Sequence, residues 1–383
     1  MKVIDRGIVF SGQKGTDFQS CAFPQICVLP PVSSVKDRNG GRWICAFRAA
    51  PTKSASIGQR SMITFSDDEG MSWSDPVAPF IPLPVDGKPG VFRGAALTSL
   101  GAGRVLAALA WVDHSNPSLP FFNEQTEGLL DMRIFFSSSE DEGVSWSQPV
   151  LMDTSPFNVP TPTTGPVIVL PNGNLACQLE LNKHYYDMSP WRHSSVLMFS
   201  NDAGRSWPEY VLASRDPENR IFYWDQRPNV LDDGRVLDLF WTYDNKKSVY
   251  LNIHARQSLD NGRTWSRMWD TGVPGQPAPP ASLPDGTIAM VYVDRTTSPV
   301  IKLRTSKDNG QTWPKETELV IYKSLSTSQT TDKKDMQDAW AEMGAFSVGL
   351  PATAQLAGGD VLVVYYAGQH TDHTEIQWAR IQS

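Results

Sequence analysis

The segment from Tyr223 to Asp244, YWDQRPNVLDDGRVLDLFWTYD, concentrates side chains that can do chemistry. Asp225 and Arg227 are two residues apart, so in an extended strand they share a side, with Trp224 and Gln226 on the other. Trp241 and Asp244 follow across a DDG turn. Two carboxyl groups can act on a glycosidic bond as acid and as base or nucleophile. Arginine grips a carboxylate through two parallel donors, and tryptophan offers an apolar plate to a sugar ring. The catalytic candidates are Asp225, Glu180 and Asp244; the substrate-binding candidates are Arg48, Arg93, Arg227, Arg295, Asp113, His114, Trp224, Trp241 and Gln276. Plainer readings exist for each: an ion pair between Asp225 and Arg227, a solvated strand residue at Glu180, an inter-sheet cation at Arg93, a hydrogen-bonded loop at Asp113 and His114, and simple packing for the tryptophans. The run His370 to His373, HTDH, puts three potential metal ligands in four residues. It reads better as a solvated loop, so neither a metal nor another cofactor is expected.

Such a constellation needs a scaffold that brings distant segments together, and the scaffold is written as a repeat. SDDEGMSW, SEDEGVSW, SNDAGRSW, SLDNGRTW and SKDNGQTW begin at Ser66, Ser139, Ser200, Ser258 and Ser306. Each reads Ser-x-Asp-x-Gly-x-[Ser/Thr]-Trp. Ser and Asp hydrogen-bond nearby backbone in tight turns, Gly takes a positive φ, and Trp packs between sheets. Between the octets lie six apolar runs rich in strand formers: RWICAFRAA, RVLAALAWVD, NLACQLEL, RVLDLFWTYD, TIAMVYVDR and DVLVVYYAG. Several follow an LPNG, LDDG or LPDG turn.

These octets are Asp boxes, and at them the chain resembles the sialidase superfamily. The resemblance implies an all-β fold: a six-bladed β-propeller with four-stranded antiparallel blades and five Asp boxes, one domain over residues 1–383. The sixth blade, near Phe346 to Ile381, lacks a box, and a strand around Val3 to Phe10 is expected to complete it and close the ring. In that superfamily the boxes are structural and lie on the face opposite the active site. The mouth is then lined by the starts of the inner strands and the ends of the second strands. Those positions hold the residues named above, together with Gln25, His184, Tyr185, Glu342, Tyr365, His370, Asp372 and His373. Counting from the shared DGR turn, the superfamily's fourth-blade glutamate falls on Asp225. Its second-strand arginine falls on Trp241, its Phe-Arg-Ile-Pro arginine near Phe23-Pro24-Gln25-Ile26, and its catalytic tyrosine near Leu350. RAAPTKSASIGQR has no clear counterpart of its acid/base aspartate. The resemblance therefore carries the architecture and not the sialidase catalytic set.

The function expected is an exo-acting glycoside hydrolase with a carbohydrate substrate, taking a terminal, acidic sugar at the mouth. One alternative is a lyase on uronate-containing glycans, using His184, Tyr185 and Arg93 or Arg227. Another is a non-catalytic glycan-binding propeller. The net charge of −7, with no basic run, argues against nucleic acid. No stretch is apolar enough to span a bilayer, and the N-terminus shows no signal-peptide core, so a cytoplasmic protein, or an exported one with its signal removed, is expected. Cys21, Cys27, Cys45 and Cys177 form no C-x-x-C pair. They are read as buried thiols, with a Cys21–Cys27 bridge as the alternative. The polar stretch from Ser324 to Gln337 is expected to be a long surface loop.

Overall fold

The computed structural model describes residues 1–31, 41–324 and 330–383. Each of the six apolar runs becomes the second strand of a blade: Arg42–Ala50, Arg104–Asp113, Leu175–Leu181, Val236–Asp244, Ile288–Asp294 and Val361–His370. Most are buried along their whole length, because a blade is covered by a neighbour on both faces. That explains why they read as continuous apolar runs rather than as alternating ones.

Each second strand pairs antiparallel with a strand nearer the axis: Ser20–Leu29, Gly90–Gly101, Ile168–Val169, Ile221–Val230, the short pieces Gln276–Pro277 and Ala281–Ser282, and Val348–Gln355. A third strand follows on the outer side, and a fourth completes the blade in five cases. In blade one the fourth is reduced to a bridge between Ile63 and Val77. Lys2–Phe10 pairs antiparallel with His373–Gln382, so the N-terminus supplies the outer strand of blade six. A parallel pair between Ser20 and Thr374 joins blades six and one into one hydrogen-bonded sheet and closes the ring.

Six apolar clusters fill the six spaces between neighbouring blades. The box tryptophans belong to them: Trp73 between blades six and one, Trp146 between one and two, Trp207 between two and three, Trp265 between three and four, Trp313 between four and five. Within a box the first Ser, the Asp and the following Ser or Thr satisfy one another. Ser66 Oγ donates to Asp68 Oδ1 (2.8 Å) and accepts from the Gly70 N–H (2.8 Å), while Ser72 donates its N–H to Oδ1 (2.9 Å) and its hydroxyl to Oδ2 (2.5 Å). Gly70 is required twice over, since its φ is +87° and a Cβ there would lie 2.7 Å from the Trp378 ring.

One element departs from the expected pattern. Of the stretch read as a surface loop, residues 325–329 lie outside the described residues and 330–335 is irregular as expected, while its last two residues, Met336 and Gln337, open an α-helix, Met336–Ala345. Asp335 caps it by accepting the Asp338 N–H, and its Ala, Met, Gln and Glu content favours helix. Met336 and Ala339 are buried in a seventh apolar cluster with Phe122, Trp191, Phe222, Trp224, Trp241 and Tyr243. Trp340 stacks on Phe122 at 4.6 Å. The helix thus roofs part of the mouth, resting on residues of blades two, three and four.

All four cysteines are free and buried; burial pushes Cys21, Cys27 and Cys177 up to about 12. The Cys21–Cys27 bridge is therefore absent. Among the described residues no helix is long and apolar enough to cross a membrane.

Candidate active site

Strand direction fixes which end of the ring is the mouth. The second strands run from the tight turns up to Asp113, Asp244 and Asp294, and the third strands run back down into the boxes. The boxes and the second-strand ends therefore lie on opposite faces.

At the mouth the inner strands share a device. Register breaks occur at Ala22/Gln25 in blade one, Phe92/Gly94 in blade two, Trp224/Arg227 in blade four and Gly349/Ala352 in blade six. A β-bulge of this kind re-aims a side chain. Phe23, Asp225 and Leu350 sit in these bulges with φ of 57°, 48° and 40°. Non-glycine residues pay strain for left-handed backbone, which persists where the surroundings over-determine it. Arg93 occupies the blade-two bulge. It lies 5.7 Å from the Phe23 ring and 4.4 Å from the Phe121 ring, so side chains from different blades converge at the axis.

Around Asp225 four blades meet. Its backbone N–H donates to Glu180 Oε1 of blade three at 2.5 Å. Its Oδ2 accepts from Gln276 Nε2 of blade five at 2.5 Å, and its Oδ1 lies 3.5 Å from Arg227 Nη2. Gln276 Oε1 in turn accepts from Arg295 Nη1 at 3.0 Å. Arg295 also donates to the Val348 carbonyl of blade six and lies 3.9 Å over the Phe346 ring. Five residues read from the sequence, Asp225, Glu180, Arg227, Gln276 and Arg295, thus form one connected network. Asp225 keeps part of its side chain open to solvent, whereas Glu180 is buried. Glu180 Oε2 faces His193 Nε2 at 3.5 Å, a buried ring nitrogen with no hydrogen bond among the described residues.

A second group of cations lies beside this network. Lys53 is pushed well below the ordinary lysine range by burial and by the guanidiniums of Arg295, Arg93 and Arg48. Its ammonium donates to the Met343 and Phe346 carbonyls (2.7 and 2.6 Å), pinning the end of the roof helix. Arg48 is fully buried and occupied: it donates to Gln59 (2.9 Å) and to the carbonyls of Lys53 and Ala55. It stiffens the loop after blade one rather than offering a free face. Arg93 differs. It is only partly buried, rests on two aromatic rings and makes no hydrogen bond among the described residues. Its donors are available to a ligand.

Tyr366, on the second strand of blade six, is also central. Its hydroxyl donates to the Phe346 carbonyl at 3.3 Å, and burial pushes it up to about 12, beside Arg295. A tyrosine so held is a poor base near neutrality.

The remaining candidates lie elsewhere. Asp244 accepts from Arg220 (2.6 and 3.0 Å) and from the Lys246 and Lys247 N–H groups. Burial works against its charge, but those donors hold it below the usual range. It organises a blade-four loop and shares no hydrogen-bond partner with Asp225 among the described residues. Asp113 caps Ser115 and lies 3.5 Å from Lys88, and His114 follows it in a blade-two loop. Trp224 and Trp241 belong to the aromatic layer under the helix, with Trp241 stacked on Tyr250 at 4.6 Å. His184 contacts the Asn158 carbonyl, and Tyr185 stands edge-on to Tyr186, in a loop leaning on blade two. His370, Asp372 and His373 line an outer cleft with Lys14 and Glu375. No cluster able to hold a metal ion is found among the described residues.

Sequence reasoning missed Lys53, Tyr366 and His193. Lys53 sits in an irregular loop and His193 before a strand, and neither carries a motif. Tyr366 was obscured by Tyr365, its neighbour of opposite parity, which packs against Tyr322 outside the centre.

Comparison with known proteins agrees with this architecture. The family model for the BNR repeat-like domain matches residues 113–363. No curated protein matches by sequence. Among solved structures, a protein of unknown function from Dyadobacter fermentans superposes with a TM-score of 0.71 at 20% identity, covering 100% of this chain and 99% of the other. The α-L-arabinanase of Penicillium chrysogenum, complexed with arabinobiose, gives 0.66 at 16% identity over 100% and 99%. A Hadza microbial sialidase gives 0.63 at 14% identity, over 96% of this chain and 66% of that one. At such identities the likeness establishes the fold.

Proposed function

The chain belongs to the BNR repeat-like domain family, and from that premise we propose that it is a glycoside hydrolase acting on a terminal, acidic sugar at the propeller mouth. The observation that carries the proposal is the contact of two carboxylate residues from neighbouring blades, Asp225 and Glu180, within an arginine-rich centre. The Asp225 carboxylate is fixed in place from both sides, accepting from Gln276 on Oδ2 and facing Arg227 with Oδ1. That suits a base or nucleophile. Glu180 is the acid: it gives a proton to the leaving oxygen as the glycosidic C–O bond breaks. Water supplies the hydroxyl at the anomeric carbon and returns the proton. Arg93, without a hydrogen bond among the described residues, takes the substrate's carboxylate. Solved neighbours named as sialidases and an arabinanase support a glycan substrate.

The test is a product-detecting assay on glycans ending in acidic and in neutral sugars. Release of an acidic monosaccharide supports the proposal. An unsaturated sugar product would instead place the protein among lyases, and binding without any product would make it a glycan-binding propeller.

A further inference from the structure

Asp225 and Glu180 can act together only if blade four holds its bulge at a fixed distance from blade three. The register passes from Trp224↔Trp241 to Arg227↔Leu239, so Asp225 and Gln226 both stand opposite Phe240. Asp225 reaches the mouth. Gln226 turns into the space between the blades, where it is fully buried. Its Nε2 donates to the Leu179 carbonyl (2.8 Å) and the Val196 carbonyl (3.0 Å) of blade three. Leu179 directly precedes Glu180, so this clip runs beside the bond from the Asp225 N–H to Glu180. The two carbonyls also fix the orientation of the amide and leave Gln226 Oε1 without a donor among the described residues.

Two residues before Phe240, on the same face of the second strand, comes Asp238, also fully buried. Its Oδ1 accepts at 3.0 Å from the Arg227 N–H, part of the peptide group that joins Gln226 to Arg227. Its Oδ2 has no donor among the described residues. Arg256 is its register partner on the third strand, but that guanidinium is occupied by the Ala213 and Ser266 carbonyls. Two acceptor oxygens without a donor therefore lie beside one peptide group in a buried interface. Two bare acceptors repel; a single hydrogen between them satisfies both. Burial pushes Asp238 well above the usual carboxylate range, against the pull of the Arg227 N–H and of the two guanidiniums that act on it, Arg256 and Arg227.

We propose that Asp238 is a positioning residue for Asp225: its Oδ2 carries a hydrogen and donates it to Gln226 Oε1, closing a clasp that holds the bulge against blade three. The chain Asp238–Gln226–Leu179 then sets how far Asp225 stands from Glu180. The proposal rests on the hydrolase reading for the use made of Asp225. Because the clasp needs the hydrogen, ionisation of Asp238 at high pH opens it.

The experiment compares the wild type with Asp238→Asn and Asp238→Leu. Asparagine keeps a carbonyl for the Arg227 N–H and supplies a permanent N–H to Gln226; leucine supplies neither. The infrared difference spectrum of wild type against Asp238→Asn at pH 7 should show the carbonyl band of one protonated carboxyl group. With the best substrate, Asp238→Asn should keep kcat within about twofold, while Asp238→Leu loses about 10–100-fold in kcat with KM little changed. Absence of the band, which would make Asp238 an ionised partner of Arg256, or wild-type kcat in Asp238→Leu, overturns the proposal. Should the wild type cleave nothing, the hydrolase reading falls alone. The band and amide exchange then decide the clasp: exchange at Asp225 and Arg227 must quicken in Asp238→Leu, and unchanged exchange overturns it. Should Asp238→Leu not fold, Tm of the other two proteins decides. A carboxyl group raised on folding weakens the fold as pH climbs from about 4. The Tm advantage of Asp238→Asn must therefore grow from pH 4 to pH 7, and a constant or shrinking gap overturns the proposal.

Discussion

The protein uses aspartate in two opposite ways on its two faces. In the Asp boxes each carboxylate is satisfied by residues within four positions of itself, as at Asp141, where Ser139 and Ser145 supply the donors. At the mouth, Asp225 is held by Gln276 from the next blade, touches Glu180 of the previous one and leaves part of its surface open. The box is local, repeated and closed; the mouth is non-local, unique and unfinished. A group whose bonding is complete without a ligand stabilises a fold. One that the ring positions and leaves open can serve a reaction.

The sharpest way to break this contrast is at Asp225. Asp225→Asn keeps the shape and removes the charge, and hydrolysis is expected to fall on the order of 10²–10⁴-fold, measured as kcat with the best substrate. Next is Arg93→Ala. Loss of one charge-assisted contact should raise KM for an acidic sugar about 10–100-fold and leave a neutral analogue unaffected. Trp340→Ala tests whether the helix is a fixed roof. Losing the stack on Phe122 costs about 0.5–1.5 kcal/mol, so amide exchange through 336–345 should quicken up to about tenfold.

The smallest effect belongs to the boxes. Hydrogen bonds from Ser145 hold Asp141 down at about 2. A carboxylate depressed on folding adds stability above its unfolded value near 4, and this is lost as pH falls toward 2. Asp141→Asn should therefore lower Tm by roughly 1–3 °C at pH 7 and by less near pH 2. Melting curves of the two proteins at both pH values check this.

The fold was legible because it is built from repeated local chemistry. Five octets with the same bonding pattern, and six apolar runs made by two-sided burial, can be read without knowing which blades touch. Asp225, Glu180, Arg227, Gln276 and Arg295 were legible as candidates, because parity and strand ends place them at the mouth. Their connection was not, since it depends on bulges at Phe23, Arg93, Asp225 and Leu350 that the sequence does not mark. Asp244 and Arg48 show the converse. Both are charged residues near the mouth, and only their partners, Arg220 for one and the 53–59 loop for the other, reveal that their donors and acceptors are occupied. The helix was not foreseen, because its irregular polar approach, TTDKKD, hides a capping aspartate ahead of the apolar Met336–Ala339–Met343 stripe.

The central claim is tested most directly by comparing Asp225→Asn and Asp141→Asn for turnover and Tm in one experiment. Asp225→Asn should slow monosaccharide release on the order of 10²–10⁴-fold with Tm nearly unchanged, while Asp141→Asn lowers Tm with turnover intact. Full turnover in Asp225→Asn, or its loss in Asp141→Asn without unfolding, would contradict it.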